Sequence, residues 1–373
     1  MSNPVIIAGT KVSESLVRLD WDYNMHPVLA ESWDISPDRL TWRFNLRRGV
    51  KWHDGRDFTS ADVAFTMDEV WKKLHGRGIN SFRNVAAVET PDPQTAILKL
   101  SAPIPFLHTV LSAHEATIVA QHVYQGTNIL QNPANQRPVG TGPFRFREWS
   151  RGSHIIYDRK PNYWDPGRPY LDRLVFRLIP DAAGRASALE NREVLLAGPN
   201  PVPLGDTQRL GAVPHLEVVT RGHEYSAPMI YLQCNFEHPI LGKPAVRQAL
   251  SHAIDLGFIE RTVMFGFAKA PTGVISSDVR SAYTPDVPQY AFDLTRAEAM
   301  LDQAGHPRGA DGIRFAVTLD AYTLGEHYVR ISEYLRESFG RLGVRVTLRT
   351  EDAATWVRRI YTQYDYDMTV YGA

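Results

Sequence analysis

The stretch from residue 27 to residue 70 reads PVLAESWDISPDRLTWRFNLRRGVKWHDGRDFTSADVAFTMDEV and contains the clearest local patterns in the chain. In its middle, apolar side chains occupy every second position, at Leu40, Trp42, Phe44 and Leu46. This period of two predicts a half-buried strand over 40–46. Thr59-Ser-Ala-Asp62 resembles a capping box with Asp in place of Glu, and it predicts the start of a helix. The apolar residues of that helix share one face and are Val63, Met67, Val70, Trp71 and Leu74.

Outside this stretch, the two halves of the chain differ in character. The first half shows further alternating strand patterns, at 96–100, 144–149, 154–158 and 174–179. The second half alternates helix and strand signals. Helices are predicted from Pro244, Asp255, Asp293 and Asp352 and over 328–342, and strands over 344–350 and 367–371. This alternation predicts an α/β domain with a mostly open sheet, and the change near 229–239 predicts a domain crossover.

Composition narrows the class of protein. The 373 residues carry 41 Lys and Arg against 41 Asp and Glu, and at about 150 residues per domain they predict two or three domains. A balanced charge argues against nucleic acid as the main partner. The single Cys234 excludes an internal disulfide framework and a CxxC pair. Residues 1–15 are not expected to act as a signal peptide, because the apolar run 5–8 is short and no basic residue precedes it.

Motifs that would carry catalysis are weak. Gly140-Thr-Gly-Pro143 is followed by a strand pattern and contains a proline without an N–H, so it predicts a structural turn rather than a phosphate loop. No pair of histidines has the spacing of HExxH, and Cys234 lies in an apolar strand, which indicates a buried structural thiol. The residues alone therefore indicate a multi-domain α/β protein without a catalytic signature.

A family resemblance covers nearly the whole chain. The stretch 27–70 strongly resembles the family 5 extracellular solute-binding proteins, the dipeptide-, oligopeptide- and nickel-binding components of bacterial ABC importers. Further segments match in the same order, and they are VGTGPFRFREW (139–149), NYWDPGRPYLDRLVFRLIPDAAGRASALE (162–190), YLQCNF (231–236), VRQALSHAIDLGFIERTVMFGFA (246–268), AFDLTRAEAMLDQAGH (291–306) and LRESFGRLGVRVTLRTEDAATWVRRI (335–360). So many ordered matches argue against a chance resemblance.

The resemblance implies an α/β, two-lobed fold like that of the type II periplasmic binding proteins (cluster C), with an extra strand-rich subdomain. Lobe I would comprise residues 1–235, including the strand-rich subdomain at about 27–165. Lobe II would comprise residues 236–373, would be α/β, and would be incomplete at its C-terminus. Closure of two lobes on a solute removes water and strengthens each polar contact.

The function that the resemblance implies is capture of a small solute and its delivery to ABC permease subunits in the membrane. The solute would be peptide-like, opine-like or a metal chelate, with no cofactor and no nucleic acid, and the full-length family member would be periplasmic. Two alternatives stay open. One is a metal-dependent hydrolase that uses His114 and Glu115, and the other is a binding-dead truncated remnant.

Several departures from the family pattern favour a truncated chain. The family's usual first strand and the long continuation after residue 373 are absent, as is the acidic residue that holds the ligand's amino group in peptide-binding relatives. Leu195 follows Glu-Val where relatives have Asp. We therefore expect a chain that is less stable and more prone to associate than a full-length relative.

Pocket residues are carried over from the resemblance by position. The loop 113–117 matches a solute-facing loop, Tyr225 precedes the crossover strand, and 320–326 follow a strand where relatives place an anchoring residue. The predicted ligand contacts are His114, Glu115, Tyr225, Asp320, Tyr322 and Glu326. His114 and Tyr322 are expected on opposite walls of the cleft. For each, an ordinary exposed loop residue is the competing interpretation.

Overall fold

The computed structural model describes residues 7–112, 115–198, 201–220, 228–280, 282–323 and 325–372. The chain folds as two compact units, unit 1 (Met1–Pro180) and unit 2 (Asp181–Ala373). The lobe boundary at residue 235 stays a prediction, because compact packing does not report how lobes move. Among the described residues, no helix has the length and apolar character to cross a bilayer.

Unit 1 is rich in strands. Its strands are β1 (Val17–Leu19), β2 (Met25–Pro27), β3 (Ala30–Ile35), β4 (Thr41–Leu46), β5 (Val85–Asp92), β6 (Thr95–Leu100), β7 (Phe144–Ser150), β8 (His154–Arg159) and β9 (Arg173–Arg177). Its helices are α1 (Ser60–Phe65), which a π-helical turn (Thr66–Trp71) continues, and the short α2 (Gly78–Ser81), α3 (Leu107–Val110) and α4 (Gln121–Tyr124).

The main sheet of unit 1 has the order β3–β4–β6–β5, with antiparallel neighbours. The predicted alternation in β4 is confirmed, because Trp42, Phe44 and Leu46 are buried. The predicted capping box is also confirmed, since the backbone N–H of Thr59 donates to Asp62 Oδ2 at 2.9 Å. The helix that follows belongs to the same apolar core as β4. It ends earlier than its pattern predicted.

A second antiparallel sheet of unit 1 has the order β7–β8–β9. The turn Gly140-Thr-Gly-Pro143 lies just before β7, so the prediction of a structural turn is confirmed. A Cβ atom on Gly140 would lie 1.9 Å from the carbonyl oxygen of Val12. The glycine is therefore needed because two backbone segments approach each other closely there.

Unit 2 alternates helices and strands after residue 229. Its strands are β10 (Ile230–Cys234), β11 (Phe315–Ala321), β12 (Val344–Thr350) and β13 (Met368–Gly372). Its helices are α5 (Ala182–Glu190), α6 (Leu204–Gly211), α7 (Pro244–His252), α8 (Leu256–Phe258), α9 (Leu294–Gln303), α10 (Glu326–Arg341) and α11 (Ala353–Val357). π-helical turns continue α8 (Ile259–Val263) and α11 (Arg358–Gln363).

The sheet of unit 2 has the order β10–β13–β11–β12. β11 pairs in parallel with both β12 and β13, and β10 is antiparallel to β13, so the predicted open α/β sheet is confirmed. One face packs apolar side chains against α7, α9 and α10. The other face carries Asp320, Thr369 and Tyr371 and faces α11 and its π-helical turn, through Trp356 and Arg359.

The helix caps predicted from the sequence of unit 2 are confirmed. The carboxylates of Asp255, Asp293 and Asp352 accept backbone N–H groups in the first turn of α8, α9 and α11. Gly343 follows α10 with a φ of 81°. Because residues with a side chain rarely adopt this conformation, the glycine allows the chain to turn directly from α10 into β12.

Candidate functional site

The carboxyl ends of parallel strands meet at one edge of the unit 2 sheet. Ligands of open α/β sheets bind outside such carboxyl ends. Tyr322 directly follows β11, and Tyr371 lies near the end of the parallel strand β13. Tyr231, at the start of the antiparallel β10, pairs with Tyr371. With residues from α11 and its π-helical turn, these rings form the aromatic edge, defined as Tyr231, Tyr322, Trp356, Tyr361 and Tyr371.

Trp356 is the centre of the aromatic edge. Its ring centroid lies 4.6 Å from that of Tyr322, 5.5 Å from that of Tyr361 and 5.8 Å from that of Tyr371. Tyr371 in turn lies 6.1 Å from Tyr231. Centroid separations of this size are those of attractive aromatic pairs. The rings therefore form one connected surface although their residues are far apart in the sequence.

The buried side of the edge is fixed by a short chain of hydrogen bonds. Trp356 Nε1 donates to Thr369 Oγ1 at 3.0 Å, and Thr369 Oγ1 donates to the carbonyl oxygen of Asp320 at 2.8 Å. Trp356 and Thr369 are almost completely buried. The chain holds α11 against β11 and β13, so the outer tyrosines rest on a rigid base.

The outer side of the edge remains partly accessible. Tyr361 is 46% exposed, and Tyr231, Tyr322 and Tyr371 are half-buried. Burial raises the pKa of Tyr322, and burial with a hydrogen bond to Tyr371 raises the pKa of Tyr361. These hydroxyls are therefore neutral at physiological pH. Among the residues that the structure describes, the Tyr322 hydroxyl has no hydrogen-bond partner.

A charged cluster lies on the same face of the sheet as the aromatic edge. It is centred on Asp320, which precedes Tyr322 by two residues. Arg349 Nη2 lies 2.7 Å from Asp320 Oδ2, and Arg359 Nη1 lies 3.6 Å from Asp320 Oδ1. Arg359 also pairs with Glu351 and with Asp365. Burial raises the pKa of Asp320, whereas the two guanidinium groups oppose that shift. We name these five residues the Asp320 cluster.

The predicted contacts of the 320–326 region have different surroundings. Asp320 is 1% exposed and is committed to two arginines, whereas Tyr322 lies in the aromatic edge. Glu326 begins α10, and its Oε1 lies 2.6 Å from Arg330 Nη2. The structure thus brings Asp320 and Tyr322 together, and it places Glu326 in a local helical ion pair.

The other predicted contacts lie elsewhere. Glu115 is in unit 1, where its Oε1 lies 2.6 Å from Arg77 Nη1 and its Oε2 lies 3.9 Å from His75 Nε2. His114 and Tyr225 lie outside the described residues. Whether any of the six residues contacts a solute stays a prediction.

Sequence reasoning missed most of the aromatic edge. Trp356 was predicted on a helix and Tyr371 on a strand, but nothing local indicated that they meet. The available signal was the alternation of side chains between the two faces of a strand. It places Asp320 in β11 and Tyr322 just after it on one face, and it places Thr369 and Tyr371 on one face of β13. Combined with a parallel pairing of these strands, that pattern would have predicted the edge.

Metal and thiol chemistry receive no support from the side-chain geometry. Within the described ranges, no group of three His, Cys, Asp or Glu side chains could hold a metal ion. Cys234 is half-buried in β10, and burial raises the pKa of its thiol to about 11. A thiol with so high a pKa is a poor nucleophile.

Comparison with known proteins connects this fold to binding proteins. A glutathione-binding protein, GsiB from Salmonella choleraesuis (strain SC-B67), is 28% identical over 344 residues, which cover 91% of this chain and 64% of the relative. The chain thus spans less than two thirds of the length of this curated relative.

Solved structures agree. AgaA in complex with agropinic acid, from A. tumefacien R10, is 29% identical with a TM-score of 0.80, covering 99% of this chain and 72% of that one. DppA from Helicobacter pylori in complex with the peptide STSA is 25% identical with a TM-score of 0.83, covering 100% of this chain and 74% of that one. The predicted family fold is therefore confirmed. Residues 24–373 match the description "Bacterial extracellular solute-binding proteins, family 5 Middle", and the chain belongs to that family.

Proposed function

We propose that this chain is the solute-binding component of an ABC importer. It captures a small solute of the peptide-like, opine-like or metal-chelate class and delivers it to permease subunits. The proposal places the protein in the periplasm and the solute between two lobes, residues 1–235 and 236–373. The single observation that carries it is the match to the family over residues 24–373.

The aromatic edge supports the proposal from the chemistry of the chain itself. It lies at the carboxyl ends of parallel strands, where α/β sheets receive ligands. It combines a buried support, Trp356, with partly exposed rings such as Tyr361. Sites for small molecules are built in this way, mainly from apolar and aromatic surface with a few polar groups that orient the ligand. Tyr322 is the predicted contact that these observations favour most.

The remaining predicted contacts stay part of the proposal with less support. Asp320 acts through its arginines to position the end of β11, and Glu115 and Glu326 are engaged by Arg77 and Arg330. The hydrolase alternative would need His114 and Glu115 to share a metal ion, but the Glu115 carboxylate is paired with an arginine. The names of the relatives reported above are those of binding proteins, which supports a role without catalysis.

A solute screen by thermal denaturation tests the proposal. The purified 373-residue chain is melted with glutathione, the peptide Ser-Thr-Ser-Ala and agropinic acid, which the names of the relatives reported above mention. Nickel with L-histidine is added as a metal chelate. A solute at 100 times its Kd stabilises the folded state by about 2.7 kcal/mol, which corresponds to roughly 5–10 °C in Tm for a unit of this size. Calorimetric titration then gives the Kd of each positive solute.

Two controls make the screen specific. Tyr322→Leu should weaken binding of the positive solute. Tyr290→Leu should not, because the Tyr290 ring meets His252 edge to face at the end of α7, on the opposite face of the sheet. Mass spectrometry of each peptide after incubation tests the enzyme alternative. Cleavage of a peptide would favour the hydrolase, and no shift with any solute would contradict the binding function.

A further inference from the structure

Building on the proposed function, we propose that the aromatic edge of unit 2 receives a positively charged group of the solute, such as an alkylammonium or a guanidinium. The inference concerns the chemistry of one end of the solute, which the family match leaves open. It rests on two independent features, namely the partly exposed electron-rich rings of the edge and the unmatched negative charge of the adjoining Asp320 cluster.

The rings offer several faces to one group. Tyr361 and Tyr371 are partly exposed and nearly perpendicular, with an interplanar angle of 88°, and both rest on the buried Trp356. Rings that meet at such an angle cannot both stack on one flat ligand. Their accessible faces can contact a compact cation, since each ring face carries the negative end of a quadrupole. Tyrosine is suited to this role because its face is electron-rich.

The Asp320 cluster adds a favourable electrostatic field. Its carboxylates are Asp320, Glu351 and Asp365, and its cations are Arg349 and Arg359. Three carboxylates against two guanidinium groups leave one unmatched negative charge when all are ionised. The cluster adjoins the edge directly, because Thr323 Oγ1 donates to the carbonyl oxygen of Glu351 at 2.7 Å, next to Tyr322.

Nearby histidine does not reverse this balance. The His327 ring lies 4.0 Å from the ring of Tyr328, whose own ring lies 5.6 Å from Tyr322. Burial lowers the pKa of His327, so this imidazole is neutral at physiological pH. The surplus carboxylate of the Asp320 cluster therefore disfavours an anionic group of the solute at the edge.

A matched set of dipeptides tests the inference by calorimetric titration. Ala-Lys and Ala-norleucine share an apolar stem and differ in the terminal ammonium, and Ala-Glu carries the opposite charge. We expect Ala-Lys to bind about tenfold more tightly than Ala-norleucine, and Ala-Glu to bind more weakly than either. All three keep the same N-terminal group, so differences among them report the side-chain end.

Variants assign the preference to the rings. Tyr361→Leu/Tyr371→Leu should reduce the preference for Ala-Lys to about twofold or less, and Tyr361→Phe/Tyr371→Phe should keep it, because phenylalanine retains the ring face. Tyr290→Leu, on the opposite face of the sheet, should also keep it. If the double leucine variant does not fold, the single Tyr361→Leu is used, since this side chain is 46% exposed.

The outcomes separate the inference from the proposed function. Equal Kd values for Ala-Lys and Ala-norleucine would overturn the inference and leave the binding function intact. The same holds if a solute of the thermal screen binds but none of the three dipeptides does, or if the leucine variants keep the full preference. Failure of every dipeptide and of every screened solute would overturn both.

Discussion

Each unit buries a cluster of charged side chains, but the two clusters are built differently. In unit 1, Glu14 is 6% exposed and accepts hydrogen bonds from Tyr163 Oη at 2.5 Å and from Trp164 Nε1 at 3.1 Å. Lys160 donates to the carbonyl oxygens of Lys51 and Thr141. These partners belong to turns and chain segments, so the cluster ties the backbone of unit 1 together.

The Asp320 cluster of unit 2 pairs carboxylates with guanidinium groups and continues into an accessible aromatic surface. Asp320 is 1% exposed, more deeply buried than Glu14, yet Tyr361, two residues after Arg359, is 46% exposed. The comparison shows that burial of charge does not by itself identify a binding site. What distinguishes unit 2 is the continuity from a rigid charged base to partly exposed rings at the carboxyl ends of the strands.

The largest expected effect tests the structural role of the charged cluster of unit 1. Lys160→Met removes two hydrogen bonds from a charged donor, and we expect a loss of about 3–4 kcal/mol in the free energy of unfolding. Urea denaturation measures this loss. The Kd of the folded variant for its solute should change less than about twofold, because the contacts of Lys160 lie within turns of unit 1.

Lys73→Met is the matched control for Lys160→Met. Lys73 lies in the turn just after Thr66–Trp71 and forms an exposed pair with Glu69, so its loss should cost less than about 0.5 kcal/mol. A Lys160→Met variant of normal stability that fails to bind its solute would contradict this account. It would assign binding rather than stability to the charged cluster of unit 1.

The next effect is pH dependence in unit 1. His53 Nδ1 accepts the N–H of Gly140 at 3.2 Å and Nε2 lies 2.9 Å from the carbonyl oxygen of Gly142, an arrangement that suits the neutral ring. Burial lowers the pKa of His53 to about 4. Between about pH 6.5 and pH 4 the unfolded chain binds a proton that the folded chain does not, so stability decreases as the pH falls.

The predicted size of this loss is about 2–3 kcal/mol across that window, since a shift of one pKa unit corresponds to about 1.4 kcal/mol. Urea denaturation at several pH values should show a steeper slope for the wild type than for His53→Asn. Identical slopes would mean that the His53 ring takes up its proton at the same pH in the folded and the unfolded chain. Either way, solute affinity of the folded protein at neutral pH should be unaffected by this titration.

The third prediction concerns the base of the aromatic edge. Asp320→Asn removes one charge from a buried network, and we expect a loss of about 2 kcal/mol, less than the ~3–5 kcal/mol of an isolated buried pair, because Glu351 and Asp365 still face Arg359. Solute affinity should fall together with stability. Asp365→Asn is the control, since this carboxylate is 68% exposed and its loss should cost about 0.5 kcal/mol or less.

The smallest expected change isolates binding from folding. Tyr322→Leu should lower the affinity for the solute about tenfold, or about 1.4 kcal/mol, and change the free energy of unfolding by less than about 1 kcal/mol. Tyr322→Phe separates the ring from the hydroxyl, and a loss in this variant as well would assign a hydrogen bond to the hydroxyl. Calorimetric titration checks both variants. Unchanged affinity in both would remove Tyr322 from the site.

The features that were predictable from the sequence are local. The carboxylates of Asp255, Asp293 and Asp352 cap helices a few residues away, and Gly343 ends a helix that its own pattern defines. Such contacts depend on neighbours in the chain, so periodicity and capping rules identify them. The family fold was predictable because many ordered segments carry its resemblance.

The site was less predictable because its contacts are long-range. Asp320 meets Arg349 and Arg359 only after β11 and β12 pair in parallel, and Tyr231 meets Tyr371 only through the pairing of β10 with β13. Periodicity and capping rules describe neighbours in the chain, so they do not predict such pairings. Of the residues carried over from the family, Tyr322 lies in the aromatic edge, and Glu115 lies in the other unit beside Arg77.

The most direct test of the account is an NMR titration of the tyrosine rings with the tightest solute of the thermal screen. Single Tyr→Phe variants assign the ring signals of Tyr231, Tyr322, Tyr361 and Tyr371. The account predicts that these signals shift and saturate at the calorimetric Kd, while Tyr290, on the opposite face of the sheet, is unaffected. Saturation of the protein by the solute without any change in the four edge signals would contradict the assignment of the binding site to the aromatic edge.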